Sequence, residues 1–415
     1  MQMSAAACGE RLSEVTLQAE AGAGPRIVYA DIIGQEGTTT KQLFNDPPEG
    51  YRFVKRQKVS NTMADSVEAN WKVRKAKQIV NSFVPVNLLA SRFMVKYVKR
   101  PAGAVLTYSE SSIVFRDEPW VLWIEVATQM AGFNDDSLSR FRGVIERALG
   151  SSNCRGIMCH SHAAKQSLQR HLDTQGFEHK LCVMPPGWQV TPHMPATKSP
   201  AAPVRILFVA GNTMAHRFKL KGGVESLEAF VALRQRFPNV ELVIRSDVDP
   251  EILRDHENVP GIRIVSGLLP YAELEKLYME SDIYWYPAHC LMSVSMLEAM
   301  NYGLPIVTTD YYDNPDYVED GVTGMVIPHH RNLPHWDTSE RKVRRAIETL
   351  DHCFTRALVE KTSVLIENGD LRRKMGCAAR ASLEAKFSLA KKNRTLRRFL
   401  DEAINPQFPA GIHVI

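Results

Sequence analysis

The chain has 415 residues, 44% of them hydrophobic and 23% charged, the composition of an ordinary soluble globular protein. Its formal net charge of +5 is too mild to argue for a nucleic-acid partner. The length is enough for two or three domains, and the seven cysteines form no C-x-x-C pair, which points away from a zinc site or a disulfide framework and toward a reducing, cytoplasmic setting.

No apolar run reaches the roughly 18 residues that span a membrane. Residues 1–24 carry Glu10, Arg11, Glu14 and Glu20. They lack the continuous apolar stretch of a secretory signal and read as a flexible leader. The first ordered strand is expected at Pro25–Ala30, running into a turn with Gly34, Gly37 and the hydroxyls of Thr38, Thr39 and Thr40. A strand, such a turn and a helix can present backbone N–H groups to an anion. An ordinary β-to-α turn explains the pattern equally well. Tyr51–Val54 reads as a strand. Residues 71–100 read as mainly helical, broken near Pro85, with basic residues such as Lys72, Lys77, Arg92 and Lys99 among apolar ones. A basic amphipathic segment can make a weak peripheral contact with an anionic membrane. A solvated helix face is the commoner outcome.

Pro119–Val126 is a buried-type strand ending at Glu125. Ligands of open parallel sheets bind beyond the carboxyl ends of strands, so Glu125 is a candidate on the acceptor side. A solvent-facing charge at a strand end is the alternative. Arg155–Ser161 is another strand, and Ser161 should cap the helix that follows. The proline-rich stretch Thr191–Pro203 reads as an interdomain linker.

The second half alternates strand and helix from Val204 to about Val326, the mark of a doubly wound parallel sheet. The strand Val204–Gly211 leads to a polar loop, Asn212–Gly223, in which Arg217, Lys219 and Lys221 precede a helix. Cations beside free helix N–H groups suit a diphosphate; a solvated basic loop is the alternative. Strands at Val240–Ile244 and Ile262–Val265 and a helix at Leu269–Tyr278 follow. The strand Asp282–Tyr286 then leads through Pro287–Met292 into a short helix that stops at Gly303, with Pro305 opening the strand Ile306–Thr309. Glu298 is the one carboxylate in that apolar helix. A buried carboxylate needs a polar neighbour, and a ribose diol, with two adjacent donors, is one. A surface or capping glutamate is the plainer reading. The stretch His329–Trp336 holds three histidines and reads as a polar insertion rather than a metal site. From Arg341 onward the chain reads as helical.

The second half resembles the donor-binding domain of the retaining glycosyltransferases of family 4, which have the GT-B fold. The motifs are Phe208–Gly211 with Lys221-Gly222-Gly223, then Leu277–Pro287, Leu297–Val307 and Val318–Val326, in the family's order. The first half adds only Ser161 and the Pro185-Pro186-Gly187 turn. The resemblance implies an α/β chain of two Rossmann-like doubly wound domains facing a central cleft. Residues 25–195 would form the acceptor-side domain and residues 196–389 the nucleotide-sugar domain. Residues 390–415 would supply a helix returning to the first domain and a tail.

It further implies a glycosyltransferase that moves a sugar from a nucleotide diphosphate donor with retention, without metal or cofactor. The acceptor would be a glycan, a lipid-linked molecule or a small molecule. Lys221 and Arg217 would neutralise the leaving diphosphate, with Glu125 on the acceptor side. Glu298 would hold the ribose, and Ser293, Val294 and Ser295 at the helix start would meet the phosphate or the sugar. Gly211, Gly222 and the Gly34–Gly37 turn would complete the donor site. The family usually carries two glutamates with seven residues between them. Glu298 matches the second, whereas Cys290 stands at the first, with His289 as a substitute contact. That departure keeps open a catalytically silent GT-B protein that binds a nucleotide-sugar or a partner; a GT-B nucleotide-sugar epimerase is the third reading.

Overall fold

The computed structural model describes residues 24–32, 38–55, 88–89, 92, 100–192, 202–211, 216–256, 258–330, 332–338 and 340–405. The Gly34–Gly37 turn and nearly all of the basic segment 71–100 lie outside these residues.

The first half runs β1 (Arg26–Ile32), α1 (Thr38–Asn45), β2 (Tyr51–Lys55), β3 (Ala104–Glu110), β4 (Trp120–Ile124), α2 (Asp135–Gly150), β5 (Cys154–Cys159), α3 (His162–His171) and β6 (Leu181–Val183). Its strands pair in parallel in the order β2-β1-β3-β4-β5-β6. Every residue of β4, Trp-Val-Leu-Trp-Ile, is buried. Such an unbroken apolar run marks a strand covered on both faces. Ser161 caps α3 as its residue type demands, accepting from the Ala164 N–H at 3.1 Å.

The second half runs β7 (Val204–Gly211), α4 (His216–Leu220), α5 (Gly223–Arg236), β8 (Val240–Ser246), α6 (Pro250–Arg254), β9 (Ile262–Val265), α7 (Tyr271–Met279), β10 (Ile283–Tyr286), α8 (Val294–Asn301), β11 (Ile306–Thr309), α9 (Asn314–Tyr317) and β12 (Gly324–Ile327). Its order is β12-β11-β10-β7-β8-β9, again parallel. Part of the segment expected to be a polar loop before Gly223 is the short helix α4, in which Phe218 is fully buried. Apolar Phe218 and Leu220 among the basic residues give α4 an inward face that the charge pattern hid.

Helices α10 (Glu340–Ala346), α11 (His352–Glu367), α12 (Gly369–Ser382) and α13 (Leu389–Ile404) complete the chain. α13 leaves the second sheet and packs on the first, where Leu396, Phe399, Leu400 and Ala403 share a core with Val28, Leu106, Val121 and Met158. Gly156 in β5 makes room for this, since a Cβ there would lie 2.4 Å from Phe399 Cζ. At the other edge Asp401 accepts from Arg26 at 2.5 Å and from the Tyr51 hydroxyl at 2.7 Å.

Polar contacts join the two sheets. The Tyr317 hydroxyl donates to the His160 carbonyl at 3.1 Å, the His162 N–H to Asp316 at 2.7 Å, and the Tyr312 hydroxyl to the Glu125 carbonyl at 2.8 Å. Asp337 is fully buried and takes Arg170 of α3 at 2.7 Å, His171 at 3.3 Å and His335 at 2.6 Å. Burial pushes its carboxyl up, but the two histidines outweigh this and hold it well below the usual carboxylate range. His329 is paired instead with Asp310 at 2.6 Å, so the histidines of 329–335 serve different neighbours. Among the described residues no cluster of His, Cys, Asp or Glu has the arrangement of a metal site, and no helix is long and apolar enough to cross a membrane.

Candidate functional site

The site lies at the carboxyl ends of β7 and β10, facing the first domain. Its geometry starts at Gly222. This residue has φ +79°, and a Cβ on it would lie 1.9 Å from the Pro287 carbonyl oxygen. Only glycine fits that backbone and that approach. The corner between α4 and α5 therefore presses on the loop after β10, and the His289 N–H donates to the Leu220 carbonyl at 2.8 Å.

That contact carries Lys221 to the start of α8. Its Nζ donates to Ser293 Oγ at 3.1 Å and lies 5.4 Å from the centre of the Tyr286 ring. Ser293 is the N-cap residue of α8, yet its side chain makes no capping bond. Its Oγ also accepts from Ser295 Oγ at 2.9 Å, and Ser295 accepts from the Tyr284 hydroxyl at 2.7 Å. The N–H groups of Val294 and Ser295 stand at a helix start, where no intrahelical acceptor exists. Burial pulls the Lys221 ammonium down to about 8, with Arg217 adding to the fall and Cys290 and Glu298 opposing it.

Glu298 sits on the second turn of α8 and is 8% exposed. The Tyr278 hydroxyl of α7 donates to its Oε2 at 2.7 Å. Burial raises the Glu298 carboxyl to about 7; the Tyr278 bond and the Lys221 charge pull the other way. Lys221 and Glu298 thus occupy one electrostatic field, as Arg217 and Lys221 do. Tyr278 went unnoticed in the sequence, where it is one apolar residue of an amphipathic helix.

The other donor-side candidates divide. Gly211 ends β7, opposite Ser246 of β8. Cys290 is buried, with its Sγ 3.6 Å from the Tyr286 hydroxyl, and acts on Lys221. His289 turns inward: it is fully buried, 3.0 Å from Glu225 of α5, and packs on Phe354. Gly34 and Gly37 lie outside the described residues.

Glu125 lies just past β4. Gln129 clasps it, donating to Oε2 at 3.0 Å while accepting from the Glu125 N–H at 2.9 Å. Burial, helped by Glu110, raises its carboxyl to about 7 against the opposing pull of Gln129 and Arg217. Arg217 of the second domain therefore acts on both Lys221 and Glu125 across the cleft. Glu110, at the end of β3, accepts from Thr40 Oγ1 at 2.6 Å and favours the charged form of the partly buried Lys392 of α13. Asp313, just before α9, is fully buried; its Oδ1 accepts from the Met292 N–H at 2.8 Å, and its Oδ2 is 3.7 Å from His160 Nε2. Sequence reasoning missed Glu110, His160, Asp313 and Lys392. The signal available for Glu110 was the strand it ends, whose polar Thr107 and Ser109 disguised it.

Residues 204–335 match the family described as Glycosyl transferases group 1. The chain resembles a protein of Escherichia coli (strain K12) provisionally named the colanic acid biosynthesis glycosyltransferase WcaL, with 24% identity over 208 residues, 44% of this chain and 49% of that one. The match thus spans about half the length of that curated relative. A glycosyltransferase from Rickettsia africae superposes over 91% of this chain and 98% of its own, with TM-score 0.55 and 15% identity. Sucrose-phosphate synthase from Thermosynechococcus elongatus superposes over the same shares, 91% and 98%, with TM-score 0.58 and 14% identity. This is the GT-B fold. Anabaena HepE, solved with UDP and glucose, shares that fold over 91% of this chain and 99% of its own, with TM-score 0.55 and 12% identity. In GT-B terms, the Lys221–Ser293 pair and Glu298 lie in the second domain, and Glu125 lies in the first.

Proposed function

We propose that the protein is a glycosyltransferase that moves a sugar from a nucleoside diphosphate donor to an acceptor hydroxyl, with retention at the anomeric carbon. The observation that carries this reading is that Lys221 bonds Ser293 at the start of α8, the helix whose Glu298 acts on the Lys221 charge. The ammonium and the free helix N–H groups suit a diphosphate. The Glu298 carboxylate, on the second turn of α8, suits the ribose diol. The match of residues 204–335 and the UDP bound to Anabaena HepE support the same reading.

In the reaction, the bond between the anomeric carbon and the diphosphate oxygen breaks, and a bond to the acceptor oxygen forms. The acceptor's proton passes to the leaving diphosphate on the same face. The protein's part is positioning and charge stabilisation. Lys221 and Arg217 meet the charge that develops on the leaving oxygen. Glu125, held by Gln129, orients the acceptor hydroxyl; an acceptor of carbohydrate type, free or lipid-linked, offers the hydroxyls to engage it.

The test is to incubate the purified protein with nucleoside diphosphate sugars and follow nucleoside diphosphate release with and without glycan acceptors. The reading requires release that depends on Lys221. A second reading, a binder without turnover, is favoured by Cys290, whose buried thiol cannot accept sugar hydroxyls as a carboxylate does. Tight nucleotide binding without any donor turnover would select it.

A further inference from the structure

Arg245 has no place in the scheme above. It is the penultimate residue of β8, paired in register with Val209 of β7 and Val265 of β9. By strand alternation it shares a face with Val243, which packs with Leu277, Tyr278 and Tyr284. The arginine is 6% exposed, and its Nε and Nη1 are buried without a hydrogen-bond partner. Among the described residues no carboxylate pairs with it. Arg116, by contrast, bonds both Asp31 and Glu118. A buried guanidinium with idle donors is costly, and it sits where ligands of such sheets bind, at the carboxyl end of a strand.

Its lateral position indicates the ligand group. β7 lies between β10 and β8, so Arg245 is two strand spacings, about 10 Å, from the strand that feeds Ser293. On that face Tyr278 shares the core of Val243 and bonds Glu298, which links the arginine's side of the sheet to the carboxylate. A nucleoside diphosphate with its phosphates at Lys221 and its ribose at Glu298 directs its base toward Arg245. Two residues on, just past the end of β8, Asp247 uses Oδ1 to accept from the Gly267 N–H at 2.9 Å, which holds its carboxylate at the same end of the sheet.

We propose that Arg245 and Asp247 select guanine as the base of the donor nucleotide, an inference that rests on the donor-site reading above. The guanidinium fork donates to guanine O6 and N7, and the Asp247 carboxylate accepts from guanine N1–H and the 2-amino group. Adenine places an amino donor where O6 would be, facing a cation that has only donors. Uracil offers a single carbonyl on that edge and no ring acceptor beside it.

The experiment is calorimetric titration and thermal denaturation of the full chain with GDP, UDP and ADP. GDP is expected to bind at least tenfold more tightly than either of the others. Arg245→Met should lower GDP affinity tenfold or more while leaving UDP and ADP within twofold. Without nucleotide, the same variant should melt at or above the wild-type temperature, because it removes an unpaired buried cation; a structural arginine would do the reverse. Asp247→Asn, at a partly exposed position, should also weaken GDP selectively, and it serves where Arg245→Met fails to fold. Preference for UDP or ADP, or GDP binding indifferent to both substitutions, overturns the base assignment and leaves the donor site standing. Failure of every nucleoside diphosphate to bind removes both.

Discussion

The hydroxyl of Tyr312 donates to the main-chain carbonyl of Glu125 across the domain boundary, at 2.8 Å. Tyr312 holds this position with φ +51°, a left-handed backbone that a bulky side chain rarely adopts. Strain of this kind persists only where the surroundings impose it. Here it ties the second domain to the segment of the first that begins at Glu125. Tyr312→Phe should cost about 1 kcal/mol in denaturant unfolding. It should also raise the KM for acceptor more than that for donor, since the carbonyl it loses belongs to the Glu125 segment.

Glu298 links pH to both stability and binding. Burial raises its folded-state carboxyl from 4.5 to about 7, so the folded protein prefers the neutral form. This contribution to stability is full below pH 4.5 and is lost as pH rises through about 7. Glu298→Gln should therefore be more stable than wild type at pH 8, by on the order of 3 kcal/mol. The difference should vanish toward pH 4.5. Nucleoside diphosphate affinity should fall about tenfold in the variant, because one ribose hydroxyl loses its acceptor. Chemical denaturation and titration calorimetry at several pH values read both effects.

Lys221→Met should leave the fold intact, since it replaces a largely sequestered ammonium whose ionisation burial already disfavours. Transfer should fall by about two to three orders of magnitude, the usual effect of removing a group that stabilises developing charge. Circular dichroism and initial rates separate the two. In wild type, nucleotide affinity should rise as pH passes about 7, where Glu298 ionises, and fall above about 8, where Lys221 loses its proton.

Gly222→Ala tests the corner that places Lys221. The new Cβ meets the Pro287 carbonyl oxygen at 1.9 Å at a backbone angle of +79°. The backbone must move, at a cost of about 2 kcal/mol or more. Thermal melting should drop, and donor affinity should drop beyond what Lys221→Met alone removes, because the loop before Ser293 shifts as well.

The strands of the second domain were legible because apolar and β-branched residues dominate them: β7, β9 and β11 fall where the pattern puts them. β3 was not, because Thr107 and Ser109 are buried by virtue of partners elsewhere, Glu118 at 2.7 Å and the Ser112 carbonyl at 2.6 Å. Satisfied polar residues in a strand look like a loop to any count of hydrophobicity. The same reason hid half the cleft. Glu298 and Lys221 stood out in the sequence, since each breaks a local pattern. Asp313, His160 and Lys392 belong to segments distant in the chain and meet only when the domains are face to face. Tyr278 is readable as a core residue from its helix, but not as the partner of Glu298, which lies twenty positions on.

The return of α13 has a consequence for synthesis on the ribosome. The apolar face made of Val28, Leu106, Val121 and Met158 waits for Leu396, Phe399 and Leu400, and Leu396 is translated 370 residues after Arg26, where the first sheet begins. The usual vectorial order, in which the leading domain is finished first, is inverted. The later-made sheet closes on local segments, and the earlier one leaves that face unsealed until α13 has cleared the exit tunnel.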